Sequence, residues 1–209
     1  MPSRKDQLPR MFQANLGRLA DRVILPGLQA LPIHSLLETG VAPSLNAFLD
    51  RAAAQVDNYT ANEAAKAYTL ILAGLFERQL SLWANAIHAE GLADMSRTNG
   101  FESFLAACAD HASIDLDNSG LGSDLIQMFV AANVVRHGEG RSCERLRTMA
   151  PELWDAMASD YLDLLPGEPK PSETLRIRPS DILRYLRAAT QFWGAADPLP
   201  MAVTDPSYG

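Results

Sequence analysis

The stretch Ala131-Ala132-Asn133-Val134-Val135-Arg136-His137-Gly138-Glu139-Gly140-Arg141 concentrates the side chains best suited to chemistry. On a helix, Asn133 and His137 stand four residues apart and share a face, with Ile126, Phe129 and Val130 beneath them. A polar pair ending an apolar stripe is costly unless it has partners or a task. His137 falls in the last turn, where the helix dipole favours its protonated form. Arg136 points about 100° away around the axis, and Arg141, Arg145 and Arg147 follow the two glycines. The outcome is a local basic patch diluted by Glu139 and Glu144. Phosphodiester cleavage uses such groups. A histidine moves a proton to or from a ribose hydroxyl or a leaving oxygen. A guanidinium holds the phosphate and stabilises developing charge, and an asparagine orients the histidine or bonds the substrate. His137, Asn133 and Arg136 are therefore candidate catalytic residues, and Arg141 and Arg145 candidate substrate-binding residues. The same residues would equally serve as a plain helix terminus, with Asn133 on a backbone carbonyl and the arginines solvated.

Other chemistry-bearing groups are less complete. Asp115-Leu116-Asp117-Asn118-Ser119-Gly120 begins like a calcium loop, but the closing twelfth position is Ile126 rather than Glu, so a capped turn is the expectation. Cys108 and His111 are three apart without a second ligand pair, which reads as a core thiol and a surface imidazole rather than zinc ligation. Neither a metal nor a cofactor is expected. Arg176, Arg178, Arg184 and Arg187 form a second basic set. They extend the first patch if the fold joins them, and are otherwise solvated. Glu77 shares a stripe with Leu70, Ala73 and Leu80, where a salt bridge or hydrogen bond inside the bundle is expected.

The elements that position these groups read as helices, because apolar residues recur at three and four rather than two. The first helix is expected over Gln7–Leu31 with a break near Pro26-Gly27, and a second from a Ser44 cap to about Val56, interrupted or bent at Asp57-Asn58. The strongest runs from Asn62 to Glu90, apolar nearly all round, and so belongs at the bundle centre. A loop over Ala93–Gly100 precedes a short helix at Phe101–Ala112. Ser123 is the expected cap of the motif helix, which ends at His137 with Gly138 in a left-handed position. A short helix over Arg141–Thr148, a new start at Pro151, a proline-rich connection over Leu164–Thr174 and an extended Leu175–Arg178 lead to a last helix from Pro179-Ser180 to Gly194. Residues 1–195 are read as one helical domain and 196–209 as a loose tail.

The chain has 209 residues, 47% of them hydrophobic and 21% charged, which suits a globular protein with its own core. A net charge of −7 argues against coating nucleic acid by bulk charge and leaves a local basic site open. Two cysteines are too few for a disulfide framework. The longest apolar run, Ala67–Phe76, falls short of the ~20 residues a membrane span needs. A cytoplasmic protein without a membrane partner is therefore expected.

The motif stretch resembles the core of the HEPN superfamily, small all-α domains common in prokaryotic toxin and defence systems, many of which carry Arg-Asn, three residues, then His. Asn133 and His137 match, while the arginine position falls on Ala132. Arg136 lies inside the gap, and Arg136-His137-Gly138-Glu139-Gly140 with Leu146 and Pro151 looks like a further branch of that superfamily. In layout the likeness spans about Asn62 to Trp193. It implies an all-α, HEPN-like bundle that dimerises through its motif helices, and in catalytic members a metal-independent endoribonuclease. RNA or a nucleotide, a second copy and an antitoxin or other protein are the implied partners. The alternative it leaves is a non-catalytic interaction or nucleotide-binding module.

Overall fold

The computed structural model describes residues 2–35, 37, 40–92, 100–117, 120–155, 159–164 and 166–204. The fold is all-α, with no strand among those residues. It comprises α1 (Arg4–Leu19), a π turn (Ala20–Ile24), α2 (Leu25–Ala30), α3 (Leu45–Ala89), α4 (Phe101–His111), α5 (Leu121–His137), α6 (Arg141–Met149), 3-10 turns at Pro151–Trp154 and Tyr161–Leu164, and α7 (Pro179–Ala196). The expected loop over Ala93–Gly100 lies almost wholly outside the described residues, as do Glu38, Thr39, Asn118, Ser119 and the last residues of the tail.

Two expected breaks are absent. The first helical rod does not break at Pro26-Gly27, because the π turn ahead of it, with Leu25 N–H reaching Ala20 O, widens the backbone where the proline ring would otherwise clash. Gly27 is there for contact: a Cβ on it would sit 1.9 Å from the Tyr68 hydroxyl of α3. Likewise α3 runs unbroken past Asp57-Asn58. Asparagine disfavours helices when its amide competes for nearby backbone. The Asn58 amide is instead spent across the fold, accepting from His34 N–H at 2.7 Å and donating to His34 O and Ser159 O at 2.9 and 2.8 Å. Ser44 caps α3 as its type predicts, its hydroxyl accepting from Ala47 N–H at 3.2 Å.

The core is centred on Trp193 of α7. The rings of Phe12, Phe76, Trp83 and Phe192 lie 4.8 to 5.7 Å from it, mostly edge-on, the geometry that aromatic quadrupoles favour. Its indole N–H donates to Gln79 Oε1 at 2.8 Å, and Gln79 reaches Asn15 at 3.3 Å, so the buried polar atoms are paired. The long α3 thus joins α1 and α7, with α5 packed against α3 and α7.

Two further expectations change. Ser123 does not cap α5: the helix starts at Leu121 behind Gly120, whose φ of +70° suits glycine, and Ser123 donates its hydroxyl to Gly120 O. The tail is not loose over 197–204. Arg10 bonds Asp197 and the carbonyls of Leu199 and Pro200, and Gln13 bonds Val203 O. A Cβ at Gly194 would lie 2.0 Å from Val203 O, so glycine there admits the returning chain.

Candidate functional site

The end of α5 carries the motif residues, and the structure separates their surroundings. Val130, Ala131, Ala132 and Val134 are buried, whereas Ile126, Phe129 and Asn133 are half-buried and Arg136 and His137 exposed. The outward stripe of α5 therefore runs Ile126, Phe129, Asn133, then Arg136 and His137. Phe129 is sheltered by α4, stacked on Phe101 with ring centres 4.0 Å apart. The Asn133 side chain makes no hydrogen bond with another described residue, which leaves its amide to solvent or to a ligand. Ala132, which stands where the motif arginine would be, is only 2% exposed. That position faces the core of this chain, so a cation there would have to be desolvated.

Gly138 closes α5 with a φ of +72°, and Gly140 has a φ of +138°, so the chain turns sharply into α6. Ser172, on the connection before α7, donates its backbone N–H to Glu139 at 2.6 Å and pins this turn. Hydrogen bonding from Ser172 holds the Glu139 carboxyl below its ordinary pKa. Around the turn, Arg136, Arg141 and Arg147 are exposed and ion-paired to no other described residue. Arg145 differs: it forms a forked ion pair with Glu102 of α4, with Nη1 on Oε1 and Nη2 at 3.0 Å from Oε2. It is committed to holding α6 to α4 rather than open to substrate.

The second basic set does not extend this patch. Arg176 faces Asp160 at 2.7 Å, Arg178 pairs with Asp181 at 2.9 Å, and Arg184 bonds Asp124, Gln127 and Asp181. Only Arg187 of the four is exposed without an ion pair among the described residues. These arginines are neither solvated nor ligand-facing as a set; the fold uses three of them to neutralise buried carboxylates.

No group of three or more metal-ligating side chains comes together among the described residues. Asp115 makes a local turn, accepting from Asp117 N–H at 2.9 Å. Cys108 is fully buried, and burial alone pushes its thiol up to about 12. His111 is exposed and edges onto Trp83, 5.6 Å away. Glu77 is half-buried.

A polar stripe inside α3 escaped the sequence reading. Gln55, Asn58, Asn62, Lys66 and Thr69 are all buried and recur at three- and four-residue spacing. Asn62 acts as a backbone clamp: its amide donates to Leu175 O and accepts from Ile177 N–H, both at 3.0 Å. The extended 175–178 segment thus has its ladder partner in a side chain. Lys66 pairs with Glu63 at 2.7 Å, beside a cavity of about 400 Å³ that reaches Val134, Val135 and Gly138 on the side of α5 away from Asn133. Tyr59 lies there tilted against Tyr161 with ring centres 4.2 Å apart, and the hydrogen bond between them, with burial, raises the Tyr59 hydroxyl to about 12. The recurrence of amides along α3 was the signal available in the sequence.

No helix among the described residues is long and apolar enough to cross a membrane. No family model, no curated protein and no solved structure matches the chain.

Proposed function

We propose that this protein is an RNA-binding, HEPN-like module that contacts phosphodiesters through the end of α5, working as a cytoplasmic homodimer in a toxin or defence setting. The observation that carries this reading is the run of exposed cations Arg136, Arg141 and Arg147, flanking the 138–140 turn with His137 and in no ion pair among the described residues, with Glu139 near Arg147. Arg10, Arg145, Arg176, Arg178 and Arg184 are spent on carboxylates, and Arg4, Arg18, Arg22, Arg78 and Arg187 are exposed as well; the end of α5 is set apart by cations that share one short stretch with His137 and Asn133. Free guanidinium groups favour phosphate, whose oxygens they meet in a forked geometry. His137 and Asn133 would then contact the ribose or the base.

Binding without cleavage suits this geometry better than catalysis by one chain. Arg136 and His137 are open to water, where a cation stabilises developing charge far less than in an enclosed site. The half-buried amide of Asn133, unbonded among the described residues, favours a second reading. A second copy docked along α5 would enclose the site and bring another His137. One His137 would take the proton of the ribose 2′-hydroxyl as that oxygen attacks phosphorus, and the other would protonate the leaving 5′-oxygen.

The test is fluorescence anisotropy with a labelled single-stranded RNA at several salt concentrations, alongside cleavage in chelator and mass by light scattering. Wild type should bind with strong salt dependence. Arg136→Ala with Arg141→Ala should lower the salt slope by about 1.4, at roughly 0.7 per lost contact to a single strand. Equal binding by wild type and the double variant, or none by wild type at low salt, overturns the proposal. Cleavage by wild type and not by His137→Ala would move the protein to the second reading.

A further inference from the structure

A second site lies where α2, α3 and the 175–179 segment meet, in a cavity of about 100 Å³ that shares no lining residue with the end of α5. At roughly 10–15 Å³ per water-sized group, it has room for about seven or more non-hydrogen atoms. Leu28, Leu31, Ile33, Ala61, Ile177 and Pro179 give it an apolar wall.

Its polar groups carry an unbalanced charge. Five charged side chains line it: Glu152, Asp155, Asp160, Arg176 and Arg178. Arg178 is spent on Asp181, which accepts from both its Nε and its Nη2. Arg176 and Asp160 offset one another across 2.7 Å. Glu152 and Asp155 remain, neither ion-paired to another described residue. The Asp160 side chain is only 1% exposed, and its Oδ1 accepts from Leu162 N–H at 2.9 Å. Its Oδ2 lies 2.7 Å from Arg176 Nη2 but out of line, so this buried acceptor has an ion pair and no hydrogen bond among the described residues. Arg176 Nη1 is likewise buried with no acceptor among the described residues. A buried acceptor left without a hydrogen bond is costly, and Asp160 Oδ2, ion-paired to Arg176 yet accepting no N–H, is the one of these two atoms that a donor group in the cavity can meet.

We propose that this cavity binds a small organic cation, an ammonium or amidinium on an apolar body of about six carbons, with the body against the leucine and isoleucine wall. Glu152 and Asp155 supply the attraction, and Asp160 Oδ2 an acceptor for its N–H. Nothing in this assignment depends on RNA binding at α5.

The test is calorimetric titration of the full chain with hexylamine, hexan-1-ol and hexanoate, which share a body and differ in head group. Hexylamine should bind roughly tenfold tighter than the alcohol, the worth of two partly exposed charge pairs, and hexanoate more weakly still. Glu152→Gln with Asp155→Asn should remove that tenfold preference while the circular dichroism spectrum stays unchanged. Ala61→Leu, which fills the cavity, should abolish binding of all three probes. Hexanoate binding as tightly as hexylamine would show that Arg176 sets the preference and overturn the proposal. So would equal binding of amine and alcohol, no binding of any probe, or binding that survives Ala61→Leu.

Discussion

Replacing Asn62 by Ala removes both hydrogen bonds that hold the extended segment before α7, those to Leu175 O and from Ile177 N–H. Leu175 and Ile177 are 0% and 3% exposed, so neither backbone group has bulk water to turn to. An orphaned buried group costs about 1–3 kcal/mol, so the two together cost roughly 2–6 kcal/mol. The adjoining cavity admits some water, and Arg176 N–H keeps its bond to Leu153 O at 2.8 Å. The expected loss is therefore near the lower middle of that range, about 3 kcal/mol. For a domain of this size it corresponds to a fall in Tm of roughly 6–12 °C. Urea unfolding followed by circular dichroism measures it, with an unchanged m value as the sign that only stability moved. Asn62→Asp is the informative companion. It keeps an acceptor for Ile177 N–H but sets a carboxylate oxygen against Leu175 O, so it should be no more stable than the alanine variant. A loss below about 1 kcal/mol for Asn62→Ala would refute the reasoning, since that is the worth of an ordinary solvent-compensated hydrogen bond.

Three other outcomes are expected. Ala132→Arg, which would complete the HEPN-type pattern that the stretch resembles, should cost several kcal/mol because the residue is 2% exposed and a guanidinium there loses its hydration; thermal unfolding reads this, and a folded variant of wild-type stability would mean that the position can reach solvent. Arg145 holds the Glu102 carboxyl below its ordinary pKa, so the stabilisation is present above the unfolded-state carboxylate pKa and lost as pH falls through the folded one. Both side chains are nearly half exposed, which limits the pair to less than about 1 kcal/mol; Glu102→Gln should flatten the acid limb of the stability profile by no more than that, and a larger change would reveal a tighter pair. Burial raises the thiols of both Cys108 and Cys143, so a thiol-reactive dye at pH 8 should label neither quickly in the native protein and both once it is unfolded; fast native labelling would place one of them at the surface.

Pairing in the fold sorts the cations near the end of α5. Arg145 and Arg141 are four residues apart on α6, yet Arg145 is held by Glu102 of α4 and Arg141 is not. Arg184 looked like a surface cation and instead ties α7 to Asp124 at the start of α5. A carboxylate distant in sequence decides each case, and residue spacing along one helix carries no record of it.

Short-range physics made much of the architecture legible in advance. Apolar recurrence at three and four marked α3, α5 and α7, and side-chain and backbone preferences placed Ser44 at the cap of α3 and Gly138 at the end of α5. The exposed polar terminus with Arg136 and His137 was legible for the same reason, since helix periodicity alone orders residues around an axis. Tertiary structure decided what that order could not. It packed the rod at Gly27 against Tyr68, ran α3 past Asn58, drew the tail onto α1 through Val203, and buried Ala132. At Asn58, a local preference against helix of about 0.7 kcal/mol met hydrogen bonds from elsewhere in the chain that outweighed it. Sequence alone determined which segments are helices and where most of them end. The packing of those helices determined which polar groups remain free to meet a ligand, because desolvation and ion pairing depend on neighbours brought together only by the fold.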